Sequence, residues 1–280
     1  MARIDAPSPQ IATPLHVAKE PSCQFPDMVP SSRRQPRHPL AGLIERHRAQ
    51  RRSGWLSGLH IVAGGGILAG MSVQEPNALQ IRVALADIEP AIWRRLIVPR
   101  SFRLGQLHHV IQAAFGWWDS HLHEFRIGGL SYRDAEFCEP EFEDDARSFD
   151  ESEVRLRDFD RSEGLGFLYV YDFGDNWQHV VAFERLLALD PAPRGATCID
   201  GARARPPEDV GGVHLYAGFL EIIADPGNPE HRDTKRWAGG HFDPEWFDRE
   251  MADKDVRNAL RANRRIRLHQ PRSKDRTRSS

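Results

Sequence analysis

Cysteine is scarce and unpatterned. Only Cys23, Cys138 and Cys198 occur, and no two of them form a CxxC pair. An odd, scattered count excludes a disulfide framework and fits a reducing compartment, so a cytoplasmic protein is expected. Long apolar runs are missing as well. No stretch reaches the roughly 18 apolar residues that a transmembrane helix needs. The nearest approach, "HIVAGGGILAGM" at 60–71, is short and rich in Gly, and it lies too far along the chain for a signal peptide. Net charge is nearly absent, at −2, but that average conceals a strong asymmetry. Residues 1–70 carry nine Lys/Arg against four Asp/Glu, residues 71–256 carry 20 against 35, and residues 257–280 carry nine against one. An acidic body between two basic ends disfavours phosphate binding by the body itself.

What is present divides into three parts. Residues 1–70 hold eight of the 20 prolines in their first 40 positions and show no sustained period. Such a segment buries too little apolar surface to offset its ordering entropy. It reads as a disordered or non-native N-terminal extension, with the native start at either Met1 or Met71. A chain beginning at Met71 is therefore expected to melt at the same temperature as the full chain; a drop of several degrees would contradict this.

Patterning begins at Leu79. Leu79, Ile81, Val83 and Leu85 alternate with polar or small residues, as in a half-buried strand. "IWRRLIVP" follows Pro90 as a second strand. "LGQLHHVIQAAFGW" then places Leu104, Leu107, His108, Ile111, Ala114 and Phe115 on one helical stripe, with Gly116 at the C-cap position. "HLHEFRIGG", 121–129, reads as a strand. Residues 134–163, with 13 acidic residues against four Arg, read as a solvated excursion. "GFLYVYDF" and "WQHVVAFERLL" flank "GDN" and predict a hairpin turning at Gly174–Asn176.

The remainder predicts helices. One starts near Gly211 with Leu215, Phe219 and Ile222 on a stripe and Tyr216, Leu220 and Ile223 beside it. One is capped by Asn228, one by Asp243, and a last one covers roughly 254–265. Strands with one helix among them, then a run of helices, predict an α+β fold with a largely antiparallel sheet.

Five motifs occur in order: "PAIWRRLIVP", "LHHVIQAAFGWWDSHLHEFRIGG", "YVYDFGDNWQH", "CIDGARARPPEDVGG" and "FDPEWFD". Together they resemble the plasmid pRiA4b ORF-3-like family, whose members also appear as TnpR-labelled passenger proteins of insertion sequences. The resemblance covers residues 78–255 and leaves 256–280 as a basic C-terminal tail. It implies an α+β fold and a mobile-element neighbourhood, without a defined biochemical activity. No Ser nucleophile motif with an Arg cluster, and no helix-turn-helix, supports a resolvase.

Three groups carry the candidate chemistry. In the hairpin, Asp172, Asp175, Trp177 and His179 form a polar cluster that His121 and His123 are positioned to join. It reads either as turn and cross-strand hydrogen bonding or as a base or metal site. His121 and His123 at i, i+2 of a strand share one face, a spacing that suits metal ligands. In "CIDGARARPPEDVGG", Cys198 is a candidate nucleophile with His179 as its base. Glu208 and Asp209 there are expected to cap the helix starting near Gly211. His108, on the apolar stripe, reads as a hydrogen-bonded core residue. No cofactor is indicated. The leading expectation is a non-enzymatic binding module with an unknown protein or nucleic-acid partner, contacting nucleic acid only through the basic tail, and no membrane. The alternative is a hydrolase or metal-dependent enzyme using the Asp/His cluster.

Overall fold

The computed structural model describes residues 74–137, 148–160, 166–262 and 264–272. The expectations for residues 1–70, and Cys23 and Cys138, lie outside them. The described residues all fall in the unit Pro39–Ser280.

Eight strands form one sheet: β1 (Ala78–Leu85), β2 (Trp93–Pro99), β3 (His123–Ile127), β4 (Leu130–Arg133), β5 (Ser148–Asp150), β6 (Gly166–Tyr171), β7 (Trp177–Leu187) and β8 (Thr197–Ala202). Their order is β5-β4-β3-β6-β7-β1-β2-β8. Every pair is antiparallel except β4 with β5. The helices are α1 (Leu104–Phe115), α2 (Gly212–Ala224), α3 (His231–Trp237) and α4 (Arg249–Arg257). The fold is α+β, as the order of patterned segments predicts.

Period two decides which sheet face is covered. Leu79, Ile81, Val83 and Leu85 of β1 are buried, as are Trp177, His179, Val181 and Phe183 of β7 and Phe167, Tyr169 and Tyr171 of β6. They join the core with Leu104, Leu107, Ile111 and Phe115 of α1, and at roughly 1.5–3 kcal/mol per buried large side chain this face dominates the stability. Part of the opposite face is wet. Arg95 there is held by Glu184 at 2.7 Å and Gln80 donates to the same carboxylate. Gly116 ends α1 in the left-handed region, with φ 81°, because its N–H must turn back to the Gln112 carbonyl.

Several expectations are corrected. The β6–β7 loop spans 172–176, and its left-handed residues are Asp172 and Asn176, not Gly174. Phe173 therefore leaves the strand parity and is 45% exposed. The strand read over 121–129 begins only at His123. α2 buries Tyr216 and Phe219 while Leu215 faces solvent, because Gly211 sits against Leu215 and sets the helix rotation. "DPEWF" is a turn in which Asp243 accepts the Glu245 N–H, and the last helix is capped instead by Asp248, which accepts from Met251. That helix covers Arg249–Arg257, not 254–265. Asn228 likewise caps a turn, and α3 begins after Glu230.

Two excursions are less solvated than their charge suggests. Asp160 is buried because Arg100 pairs with it through two nitrogens. The C-terminal segment folds back on the body: Arg264 reaches Asp119 at 2.9 Å and Arg267 pairs with Asp255. Part of the basic charge after Arg257 is therefore spent within the molecule.

Candidate functional site

The hairpin turn is built by Asp172. Its carbonyl accepts the Asn176 N–H at 2.6 Å, closing the loop, and its Oδ1 accepts the N–H groups of Gly174 at 2.9 Å and Asp175 at 3.3 Å. These bonds leave Oδ2 free to face away from the turn. Pairing of β3 with β6 sets what it faces. His123 is opposite Tyr171, and the Asp172 N–H donates to the Leu122 carbonyl, so His121 comes level with Asp172.

A third segment completes the cluster. Asp175 extends from the turn to "EDVGG" and accepts the Gly211 N–H on Oδ2 at 3.0 Å. Gly211 is the N-cap of α2 and has no side-chain cap of its own, so the hairpin supplies one. Gly212 packs so closely that a β-carbon would lie 2.5 Å from the Asp175 carbonyl oxygen. This docking carries Glu208 and Asp209 to His121. His121 Nε2 lies 3.3 Å from Asp209 Oδ1, 3.7 Å from Asp172 Oδ2 and 4.0 Å from Glu208 Oε2. One donor atom each from His121, Asp172 and Asp209 all lie within 4.8 Å of one another. The expectation that Glu208 and Asp209 cap the helix fails, because Asp175 holds that place.

Glu208 is the unusual member. Its Oε1 accepts the Trp118 N–H at 2.5 Å, while its Oε2 is buried and finds no donor among the described residues. Burial pushes its carboxyl upward, Arg205 and His121 opposing. A buried carboxylate oxygen without a donor costs stability unless a cation or a proton meets it.

His179 does not join the cluster. It is buried in the core, with Nε2 accepting the Trp117 indole N–H at 3.1 Å and Nδ1 donating to the carbonyls of Trp177 and Tyr169. Burial pushes its pKa down to about 4, so it stays neutral. Trp177 beside it is fully buried. The proposed Asp172–His179 partnership is thus absent: strand parity points the imidazole into the core, while Asp172 has already left the strand. Cys198 is equally remote from His179, because β1 and β2 stand between β7 and β8. Its N–H donates to Asp253, and burial pushes the thiol up to about 11, which disfavours a thiolate.

His123 also parts from His121 in its bonding, although both line one cleft. His123 Nε2 meets Glu151 Oε2 at 2.9 Å, and its ring stacks on that of His108 with centroids 3.6 Å apart. His108 gives Nε2–H to Asp119 at 2.7 Å and accepts the Tyr169 hydroxyl on Nδ1 at 2.8 Å. Burial pushes His108 down to about 4 against that carboxylate. Burial pushes Asp119 upward, but hydrogen bonds from His108 and His109 override it and hold the carboxyl below the usual range. Gln112 completes the network, donating to the Tyr169 oxygen and accepting the Asp119 N–H. The cleft holding these groups has a volume of about 690 Å³ and reaches His121 and Phe173. His108 is the hydrogen-bonded core residue its helical stripe indicates.

A family model described as plasmid pRiA4b ORF-3-like protein matches residues 77–251. The chain belongs to the plasmid pRiA4b ORF-3-like family. The matched segment of this ORF-3-like chain includes His121, Asp172, Glu208 and Asp209. Among its relatives is the uncharacterized protein y4hQ of Sinorhizobium fredii, 39% identical over 164 residues, covering 58% of this chain and 81% of that one. Among solved structures, the crystal structure of MM3350, a protein of unknown function from Methanosarcina mazei Go1, matches with a TM-score of 0.56. It is 36% identical and covers 65% of this chain and 98% of that one. No helix among the described residues is long and apolar enough to cross a membrane.

Sequence reading missed Glu208 as a site residue. The only local signal was two adjacent carboxylates before Gly-Gly, and helix-start rules assign those to capping.

Proposed function

We propose that this ORF-3-like domain is a binding module, working in the cytoplasm, that holds a divalent cation between His121, Asp172, Glu208 and Asp209. The observation that carries the reading is Glu208 Oε2, a buried carboxylate oxygen with no donor, 4.0 Å from His121 Nε2. An ion at this point would satisfy it and the free Oδ2 of Asp172 together. One imidazole with three carboxylates suits zinc or manganese and is a poor set for copper(I), which prefers sulfur. His121, Asp172 and Asp209 present donor atoms within 4.8 Å of one another, and Glu208, outside that set but 4.0 Å from His121, joins them by a contraction of side chains.

A metal-dependent hydrolase is the second reading. It is favoured by one observation: His121 opens on the cleft that holds the His123–Glu151 pair. An ion there would supply Lewis acidity and the pair a proton acceptor.

The test is calorimetric titration of EDTA-treated full-length protein with zinc and with manganese chloride, followed by metal analysis. About one ion per chain is expected, with a higher melting temperature by mass action. Glu208→Gln and Asp209→Asn are each expected to weaken binding by about 10- to 100-fold. Unchanged affinity in Glu208→Gln, or no binding of either ion at millimolar concentration, would overturn the reading. Turnover of a chromogenic phosphodiester, lost on His123→Ala with the metal retained, would favour the hydrolase.

A further inference from the structure

Behind the cation cluster lies a second cavity, which shares Glu208 and Asp209 with it. It has a volume of about 280 Å³ and is walled by Trp118, Trp237, Phe242, Trp246 and Phe247, with Leu268 of the C-terminal segment beside them. An apolar cavity of roughly 150 Å³ already accepts a benzene ring, so one ring with a short substituent fits here.

The polar groups of this cavity include the guanidiniums of Arg94 and Arg205. Arg94 is 3% exposed, yet all its hydrogen bonds go to main-chain carbonyls: Trp93, Ala114, Ala202 and Arg203. Its guanidinium lies over the rings of Phe115 and Phe247, and no carboxylate forms an ion pair with it among the described residues. Arg205 gives Nε–H to the Gly116 carbonyl and Nη1–H to that of Pro206. The Trp118 indole N–H is buried and finds no acceptor among the described residues. The four acids on the lining are otherwise engaged: Asp255 pairs with Arg267, Asp248 accepts the Met251 N–H, Asp209 lies 3.3 Å from His121, and Glu208 binds the Trp118 main chain and faces His121.

We infer that this cavity binds a small aromatic carboxylate, its ring among the tryptophans and its carboxylate on Arg205. The carbonyls ending α1 neutralise part of the arginine charge. Capping those carbonyls explains the Nε–H bonds, but it leaves the buried Trp118 N–H without an acceptor among the described residues; an incoming carboxylate supplies one, and Arg205 on the same lining pairs with it. Burial pushes Arg94 down to about 10 and lowers Arg205 as well, with the Glu208 charge opposing the shift of Arg205. Glu208 and Asp209 line both this cavity and the cation cluster, but the inference uses neither of them, nor His121 or Asp172.

The test is thermal shift and calorimetry on the full chain with benzoate and indole-3-acetate, in EDTA. Benzamide serves as the neutral isostere and inorganic phosphate as the bare anion. A saturable rise of several degrees with an aromatic acid is expected, with no response to benzamide or phosphate. Arg205→Gln is expected to weaken binding at least tenfold. Trp237→Ala, which removes a ring that is 49% exposed and so dispensable for folding, is expected to weaken it several-fold. No response to either acid, an equal response to benzamide, a phosphate response alone, or full binding in a folded Arg205→Gln or Trp237→Ala variant would overturn the inference. Persistence of binding in His121→Ala, a residue off this cavity's lining, would separate this site from the cation cluster; loss there would count against the inference.

Discussion

Replacing Gly212 with alanine is expected to cost the domain roughly 3–4 kcal/mol. Gly212 has φ 72°, a region that costs an L-residue about 1–2 kcal/mol. The larger part comes from contact. The new methyl would lie 2.5 Å from the Asp175 carbonyl oxygen, a main-chain atom that cannot swing aside. The turn must move, and with it goes the Asp175 hydrogen bond to Gly211, about 1–1.5 kcal/mol. Gly218, in the same helix with nothing within 4 Å of its would-be β-carbon, is the control. Gly218→Ala should be neutral or stabilising by up to about 1 kcal/mol through helix propensity. Urea unfolding of the two variants decides; a Gly212→Ala cost below about 1 kcal/mol would mean that the hairpin and α2 are not locked together.

Acid should weaken the fold well above the pH at which carboxylates titrate. His108 and His179 both fall from 6.5 to about 4 on folding, with burial as the main cause. Their folded pKa values are depressed, so their stabilising contribution is complete above about pH 6.5. Below it the unfolded chain takes up protons that the folded chain refuses. The contribution declines as pH falls and is gone near pH 4. A fall from 6.5 to about 4 corresponds to roughly 3 kcal/mol for each imidazole. Geometry agrees for His179, where a proton on Nε2 would face the Trp117 indole N–H. Urea unfolding at steps from pH 7 to 4.5 in EDTA should show stability declining with pH, at its steepest approaching the slope of two protons, about 3 kcal/mol per pH unit. His179→Gln, whose carbonyl can still accept from Trp117, should show about half that slope. A flat profile over this range, or an unchanged slope in the variant, would refute it.

Most of the frame was legible because it rests on local period. β1, β2 and α1 follow from alternation and a helical stripe, and Gly116 falls where a left-handed cap is needed. The hairpin was legible as a hairpin but not in its interior. Asn176 takes a left-handed conformation, as expected of the turn residues 174–176, but the other left-handed residue is Asp172, before that turn, because Asp172 bonds its own turn. The site was legible only in part. His121 and Asp172 were named, but with His179, which strand parity sends into the core. Glu208 and Asp209 were taken as caps because the true acceptor, Asp175, lies 36 positions earlier in the chain. The C-terminal segment read as free charge because its partner Asp119 is 145 positions from Arg264. Long-range polar contacts leave no periodic trace.

The first strand of the sheet is not at its edge. β1 lies between β2, which follows at once, and β7, whose Glu184 meets Gln80 across 104 positions of sequence. During synthesis the β1–β2 hairpin therefore emerges with both flanks bare, β1 waiting for β7 and β2 for β8, neither yet made. At about 5–20 residues per second, that wait lasts roughly 5–20 s. Through this interval the nascent chain presents an open β-edge, which is where misassociation begins and where a chaperone would first bind. Completion of the sheet is thus a late, nearly simultaneous event, in which arrival of β7 closes that edge and brings the Asp175 turn into place to receive α2.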